Sequence, residues 1–184
     1  ANVASVYGAY LKKFKRTALK DFEFKFLELD DIKVDFSIYN DYAEKVVKNI
    51  EGDILYIDPP YNTRQYSSNY HILEMIASDE EDIEIYGKTA LPKNKKSSDF
   101  SSKTKVLNAF NELISNSKFD NIFISYNTDG IVSEEEMVTI LKDYYEDISI
   151  ERKEYKRFKA DTSNDREYDK SKLEELIFIG LNRK

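Results

Sequence analysis

Asp53-Ile54-Leu55-Tyr56-Ile57-Asp58-Pro59-Pro60-Tyr61-Asn62 decides how the rest of the chain is read. Ile54 to Ile57 is a compact apolar run, and its length and bounds predict a buried strand. Pro59 and Pro60 end it, because proline has no N–H for a ladder and fixes its own φ. A carboxylate, Asp58, is thereby left at the strand's carboxyl end, followed by two rigid residues and an aromatic ring. Upstream, Asp41 to Ile50 sets Ala43, Val46, Val47 and Ile50 at helical spacing, with Glu51-Gly52 closing the helix. Val34 to Tyr39 reads as a short strand. Phe22 to Leu29 alternates apolar and charged residues as a half-buried strand does, which assigns Phe22, Phe24 and Phe26 to the core.

Downstream, His71 to Ala77 is helical in pattern. Ser78 to Ser102 is polar, charged and interrupted by Pro92, and reads as a long loop. Lys105 to Ser115 is an amphipathic helix with Val106, Phe110 and Leu113 in register, and Asn121 to Tyr126 is a buried strand. Glu134 to Tyr145 is a helix with Ser133 as its N-cap. Ile148 to Tyr155 and Leu176 to Leu181 are strands, with a polar loop, Asp161 to Tyr168, between them. Strands alternate with helices until two strands close the chain. The expected fold is therefore an α/β sheet, mostly parallel, finished by a C-terminal antiparallel hairpin. In such sheets ligands bind beyond the carboxyl ends of the strands. Asp58-Pro59-Pro60-Tyr61 and Tyr126-Asn127 lie at two such ends.

Composition narrows the class. The 184 residues suit one well-cored domain, and 41% of them are hydrophobic. Cysteine is absent and His71 is the single histidine, so neither a disulfide framework nor a thiolate or His-rich metal site is available. No apolar run approaches the roughly 20 residues that span a bilayer, and Ala1 to Tyr10 does not read as a signal peptide. The expectation is a cytoplasmic protein without a membrane or metal partner. The net charge of −7 argues at first against nucleic acid. Lysine and arginine are clustered, however: Lys12, Lys13, Lys15, Arg16 and Lys20; then Lys93, Lys95, Lys96, Lys103 and Lys105; then Arg152, Lys153, Lys156, Arg157 and Lys159. Such patches grip phosphates on an acidic chain, or are merely solvated faces.

The Asp58 segment has the parts needed to act on an exocyclic amine of a base. The lone pair of such a nitrogen is delocalised into the ring, which makes it a poor nucleophile. Acceptors facing both N–H groups favour a tetrahedral nitrogen and free the lone pair. The Asp58 carboxylate supplies one acceptor and the Pro59 carbonyl the other, on a turn that proline keeps rigid. Tyr61 offers a face for stacking an extruded base, worth about 1–3 kcal/mol. Extrusion is required because the target atom is unreachable inside a duplex.

Asp58-Pro59-Pro60-Tyr61 resembles the Asp-Pro-Pro-Tyr motif of amino-methyltransferases that act on nucleic acids. Asn62-Thr63-Arg64-Gln65-Tyr66, Asn69-Tyr70-His71 and Leu73-Glu74 look like the segment that follows it in the D12 class of adenine-N6 DNA methyltransferases, above all those of type IIS restriction-modification systems. That resemblance implies a Rossmann-like class I fold, S-adenosylmethionine as donor, and methyl transfer to N6 of a flipped adenine in double-stranded DNA without a metal. It implies catalytic roles for Asp58, Pro59, Pro60 and Tyr61. Donor contacts are implied for Asp58 and for Asp41, within Tyr39-Asn40-Asp41. DNA contacts are implied for Arg64, Tyr66, Asn69, Tyr70, Lys12, Lys13, Lys156, Arg157 and Lys159. Ile124-Ser125-Tyr126-Asn127 looks like the family strand whose end borders the pocket. Residues 1–20 are similar to the end of a target-recognition region and 21–184 to the catalytic domain.

The chain departs from the family at one point. The F-x-G-x-G donor-binding turn has no counterpart among its five glycines. The expectation is an incomplete domain: the chain is a fragment or was cleaved, so that an N-terminal remainder of the same enzyme holds that turn, or a partner supplies it. Alternatives stand beside this reading. The same acceptors would serve cytosine N4 or an RNA base, although Asp58 in place of serine favours adenine. A DNA-binding module that transfers nothing would also lack the glycine turn. Individual residues carry two readings as well. Asp41 caps a helix or meets the donor. His71 is structural or orients the site. Tyr66 and Tyr70 pack or touch DNA, Arg64 binds phosphate or pairs within its loop, and Asn127 at its strand end is a candidate to accept or donate within the pocket.

Overall fold

Two proline-bounded and capped segments organise what is seen in the computed structural model of the chain. It describes residues 2–3, 6–7, 16–21, 23, 25–26, 33–78, 83–87, 91–156 and 172–184. In chain order the elements are β1 (Asn2–Val3), β2 (Val6–Tyr7), α1 (Ala43–Val46), β3 (Glu51–Ile57), α2 (Tyr66–Asn69), α3 (His71–Ser78), β4 (Ile85–Tyr86), β5 (Leu91–Pro92), α4 (Val106–Asn116), β6 (Lys118–Asn127), α5 (Glu134–Tyr144), β7 (Tyr145–Lys156) and β8 (Lys172–Arg183). Short 3-10 turns cover Arg16–Leu19, Val47–Asn49 and Asp99–Ser101. The chain divides into two units, one of residues 1–41 and 68–95 and one of residues 42–67 and 96–184.

The second unit holds a four-stranded sheet in the order β3-β6-β8-β7. β3 pairs parallel to β6, with Ile57 opposite Ile124. β6–β8 and β8–β7 are antiparallel. The C-terminal hairpin is therefore present, and its second strand is inserted beside β6. The expectation of a mostly parallel sheet is corrected: one of the three ladders is parallel, because the returning strand lies next to the centre rather than at the rim. A mixed α/β architecture holds.

The core lies on one face of this sheet. Ile122, Ile124 and Tyr126 of β6 stand on the same face as Gly180, Phe178 and Leu176 of β8, their register partners. Phe110, Leu113 and Ile114 of α4 and Met137 and Leu141 of α5 close over them, and Val47 joins from the turn after α1. The α4 spacing that predicted this face is borne out. α5 begins where Ser133 predicts. The Ser133 hydroxyl accepts from the Glu136 N–H, and the Glu136 carboxylate accepts from the Ser133 N–H, a full capping box.

Several expectations are corrected. The strand at Ile54–Ile57 exists but is not buried: Ile54 is 59% and Tyr56 61% exposed, because among the described residues β3 pairs on one side only. Glu51-Gly52 belongs to this strand rather than closing the preceding helix. That helix is capped at Tyr42, without a side-chain cap bond, and not at Asp41. Val34 to Tyr39 forms no strand, and Val34, Phe36 and Ile38 are exposed. The described residues of the Phe22–Leu29 segment are not in a strand either. Phe26 is 87% exposed rather than core, since alternation alone does not bury a side chain without a ladder partner. Phe22 and Phe24 lie outside the described residues. The long loop after α3 contains the small antiparallel pair β4–β5. The Asp161 to Tyr168 loop also lies outside the described residues. Among the described residues no helix is long and apolar enough to cross a membrane.

Candidate active site

β3 and β6 run parallel, so Asp58 and Asn127 leave the sheet at the same end. Proline ends the first strand and a side-chain turn ends the second. At the first, Asp58 is exposed, Pro59 is buried, Pro60 is half-buried, and Tyr61 is 42% exposed. The turn is thus packed from beneath while the carboxylate and the ring face outward. At the second, Asn127 is buried and its Oδ1 accepts from the Asp129 N–H at 3.0 Å. That bond commits the Asn127 side-chain oxygen to the turn that follows β6.

The two strand ends are joined. The Ile131 N–H donates to the Tyr61 carbonyl at 3.0 Å. Tyr126, 2% exposed, accepts from the Val132 N–H at its hydroxyl, 3.2 Å away. Burial pushes this phenol above its ordinary pKa, against the lowering effect of the Val132 N–H bonded to it. It therefore stays neutral at physiological pH.

Beyond the turn, the chain is tied by paired bonds. The Asn62 side chain accepts from the Arg64 N–H at 2.9 Å. The Gln65 side chain donates to the Ser98 carbonyl at 3.0 Å and accepts from the Ser98 N–H at 2.8 Å, as a neighbouring strand would. Ser98 in turn caps the 3-10 turn at Asp99–Ser101. Arg64 and Tyr66 are exposed above this anchored segment.

Asp41, Asn69 and Tyr70 belong to the first unit. Asp41 and Tyr70 are exposed there and Asn69 is half-buried, while His71 is buried with Nδ1 donating to the Ser68 carbonyl at 3.1 Å. That partner is the one a structural histidine would have. Lys95 reaches the Ser68 hydroxyl at 3.0 Å and lies over the Tyr86 ring. Lys12, Lys13, Arg157 and Lys159 lie outside the described residues. Lys156 ends β7. In the same basic cluster, Arg152 is committed to carboxylates, pairing with Glu134 and lying 3.7 Å from Glu174. Sequence reasoning missed the Ile131–Tyr61 bond and the Gln65–Ser98 pair. Asp129-Gly130 announces a turn, but nothing local says which backbone that turn will touch.

Comparison with known proteins adds an independent finding. Residues 1–140 match the family model for the D12 class N6 adenine-specific DNA methyltransferase. The type II methyltransferase M.FokI of Planomicrobium okeanokoites is 40% identical over 181 residues, 97% of this chain and 27% of that protein. M.NlaIII of Neisseria lactamica is 38% identical over 179 residues, 97% of this chain and 53% of the relative. M.CviAII of Paramecium bursaria Chlorella virus 1 is 40% identical over 162 residues, 88% and 48% respectively. The chain thus spans between 27% and 53% of the length of these relatives. No solved structure gives a significant match.

Proposed function

The chain belongs to the D12 class of N6 adenine-specific DNA methyltransferases, and from that premise we propose that it carries the base-gripping part of an enzyme methylating N6 of adenine in duplex DNA. The observation that carries this reading is the end of β3. An exposed carboxylate, Asp58, and a partly exposed ring, Tyr61, flank a buried and a half-buried proline on a turn held from the loop after β6. In this role the Asp58 carboxylate and the Pro59 carbonyl accept the two N6–H bonds, and the nitrogen lone pair is drawn out of conjugation. The Tyr61 ring stacks on the extruded base and keeps it oriented. Arg64 and Tyr66, exposed just beyond, meet the DNA backbone and neighbouring bases; DNA contacts are proposed separately for Asn69, Tyr70, Lys12, Lys13, Lys156, Arg157 and Lys159.

S-adenosylmethionine supplies the electrophilic methyl group. The donor's amino and hydroxyl groups call for acceptors, and the exposed carboxylates of Asp58 and Asp41 are suited to them. The fold proposed for the whole is Rossmann-like, with residues 1–20 closing a target-recognition region. The biological setting proposed is the modification arm of a restriction-modification system; one relative, StsI of Streptococcus sanguinis, carries the name modification methylase.

Methyl-labelled S-adenosylmethionine and unmethylated DNA test the reading. After transfer and digestion to nucleosides, the label is expected in N6-methyladenine. Asp58→Ala is expected to lower kcat by about a thousandfold or more, on the scale of losing a group that acts in the transition state. Label in N4-methylcytosine would redirect the specificity. Near-normal turnover by Asp58→Ala would remove Asp58 from the chemistry.

A further inference from the structure

Two of the four residues in the Asp58–Tyr61 turn are prolines. They fix φ but contribute no N–H, so the turn has few donors with which to tie itself down. Its rigidity has to be completed from outside. Among the described residues, its backbone is reached from another element by the loop after β6, through the bond from the Ile131 N–H to the Tyr61 carbonyl. The direction of that N–H is set by what surrounds it.

Tyr126 is the hub of this loop. Its buried hydroxyl accepts from the Val132 N–H, which fixes the residue after Ile131. Gly130, the residue before it, lies against the same ring. A Cβ at Gly130 would come within 3.0 Å of three ring atoms, so a side chain cannot enter without displacing the ring or the loop. The Gly130 N–H donates to the Asn127 carbonyl at 3.1 Å, which closes the turn beneath. The ring itself is held edge-on against Phe110, 6.1 Å between centroids, inside the core. Ile131 is therefore clamped between two residues that are both seated on one buried ring.

We propose that Tyr126 and Gly130 are positioning residues: the ring, and the glycine laid on it, aim the Ile131 N–H at the Tyr61 carbonyl and so hold the Asp58–Tyr61 turn in its working geometry. Neither residue touches the amino group being methylated. Their effect passes through one backbone hydrogen bond to Tyr61. The inference rests on the function proposed above. A displacement of about 1 Å at a reacting group is enough to cost on the order of a hundredfold in rate, so a single bond at this place has leverage on turnover.

Tyr126→Phe keeps the ring and removes the acceptor for Val132, while Gly130→Ala drives a methyl group into the ring. Both are made in the enzyme as its host produces it. Two quantities are read at a temperature where circular dichroism shows the variant folded. One is hydrogen exchange at the Ile131 amide, at single-residue resolution. The other is steady-state methyl transfer from S-adenosylmethionine to unmethylated plasmid DNA. For Tyr126→Phe, exchange at Ile131 should rise about tenfold, the scale of one lost hydrogen bond. Its kcat should fall about tenfold, with the KM for the donor changed less than about twofold, since a positioning loss acts on the transition state more than on ground-state binding. Gly130→Ala should move both quantities further in the same direction. A lowered melting temperature with wild-type kcat and wild-type Ile131 protection would overturn the proposal. Should Gly130→Ala fail to fold, Tyr126→Phe decides alone. If the unaltered enzyme transferred nothing to DNA, the proposed function would fall, and the Ile131 exchange would still decide whether the ring holds Tyr61.

Discussion

β3 and β6 are neighbours that run in the same direction and end at the same side of the sheet, yet they are built in opposite ways. β6 has a strand on each side, and its Ile122, Ile124 and Tyr126 are buried under α4 and α5. β3 has a strand on one side among the described residues and shows Ile54 and Tyr56 to the outside. β6 finishes in a buried asparagine, β3 in an exposed aspartate. A group that must meet a large substrate has to remain reachable, and a reachable group on an edge is poorly held. The bond from Ile131 to Tyr61 resolves that conflict by lending the order of the central strand to the outer one.

The largest effect that tests this contrast is on stability. Phe110 is fully buried and sits edge-on to both Phe100, at 5.0 Å, and Tyr126. Phe110→Ala should cost about 3–5 kcal/mol, the range for a core ring replaced by a cavity. Tyr56→Ala removes a ring as large from β3 and should cost under about 1 kcal/mol, as exposed truncations do. Urea unfolding of both variants gives the two values. Equal costs would mean that β3 is as deeply built into the fold as β6, and the contrast would break.

How much of this was legible in the sequence follows the same division. The elements around β6 were readable because their patterns are local. Val106, Phe110 and Leu113 fix a helix face, Ser133 marks a helix start, and the apolar run from Asn121 to Tyr126 marks a strand. The motif at Asp58 was readable because prolines punctuate. The burial of β3 was not, since an apolar run looks the same at the centre of a sheet and at its edge, and only the pairing distinguishes them. Val34–Tyr39 and Phe26 failed for a related reason. Alternation expresses a tendency to pair, but a strand exists only where a partner supplies the ladder. The link from Ile131 to Tyr61 is a backbone bond between residues far apart in sequence and leaves no mark on side-chain pattern at all.

A middling effect concerns the start of α5, which follows directly on the loop that holds Tyr61. Ser133→Ala removes one side of the capping box and should cost about 1 kcal/mol at neutral pH. The Ser133 N–H and hydroxyl also hold the Glu136 carboxyl below its ordinary pKa. The sign follows from the direction of the shift. A carboxyl depressed in the folded state adds stability above its unfolded pKa, and that stability fades as pH falls through the lower folded value. The variant should therefore be less stable than the parent at pH 7, and the gap should narrow on acidification. Melting temperatures across that range read it. A gap that stayed constant down to strongly acidic pH would mean that the cap acts through the hydroxyl–amide bond alone and not through Glu136.

The smallest expected effect lies where the chain enters β3. Val47 is buried in the core there, and beside it Lys48 reaches Glu112 of α4 at 3.1 Å, with both side chains nearly half exposed. An ion pair this open pays side-chain entropy and is screened by salt, so it contributes about 0–1 kcal/mol. Lys48→Met keeps the stem that lies along the surface and removes the charge. It should lower stability by less than about 0.5 kcal/mol at low salt and by nothing measurable near 1 M salt, where the screening length falls to about 3 Å. Urea midpoints at the two ionic strengths supply the comparison. A loss above about 1 kcal/mol, or one that salt leaves untouched, would mean that the segment leading to Asp58 is held to α4 by this charge and not by Val47. The outer strand would then owe its place to electrostatics rather than to the apolar core that secures the inner one.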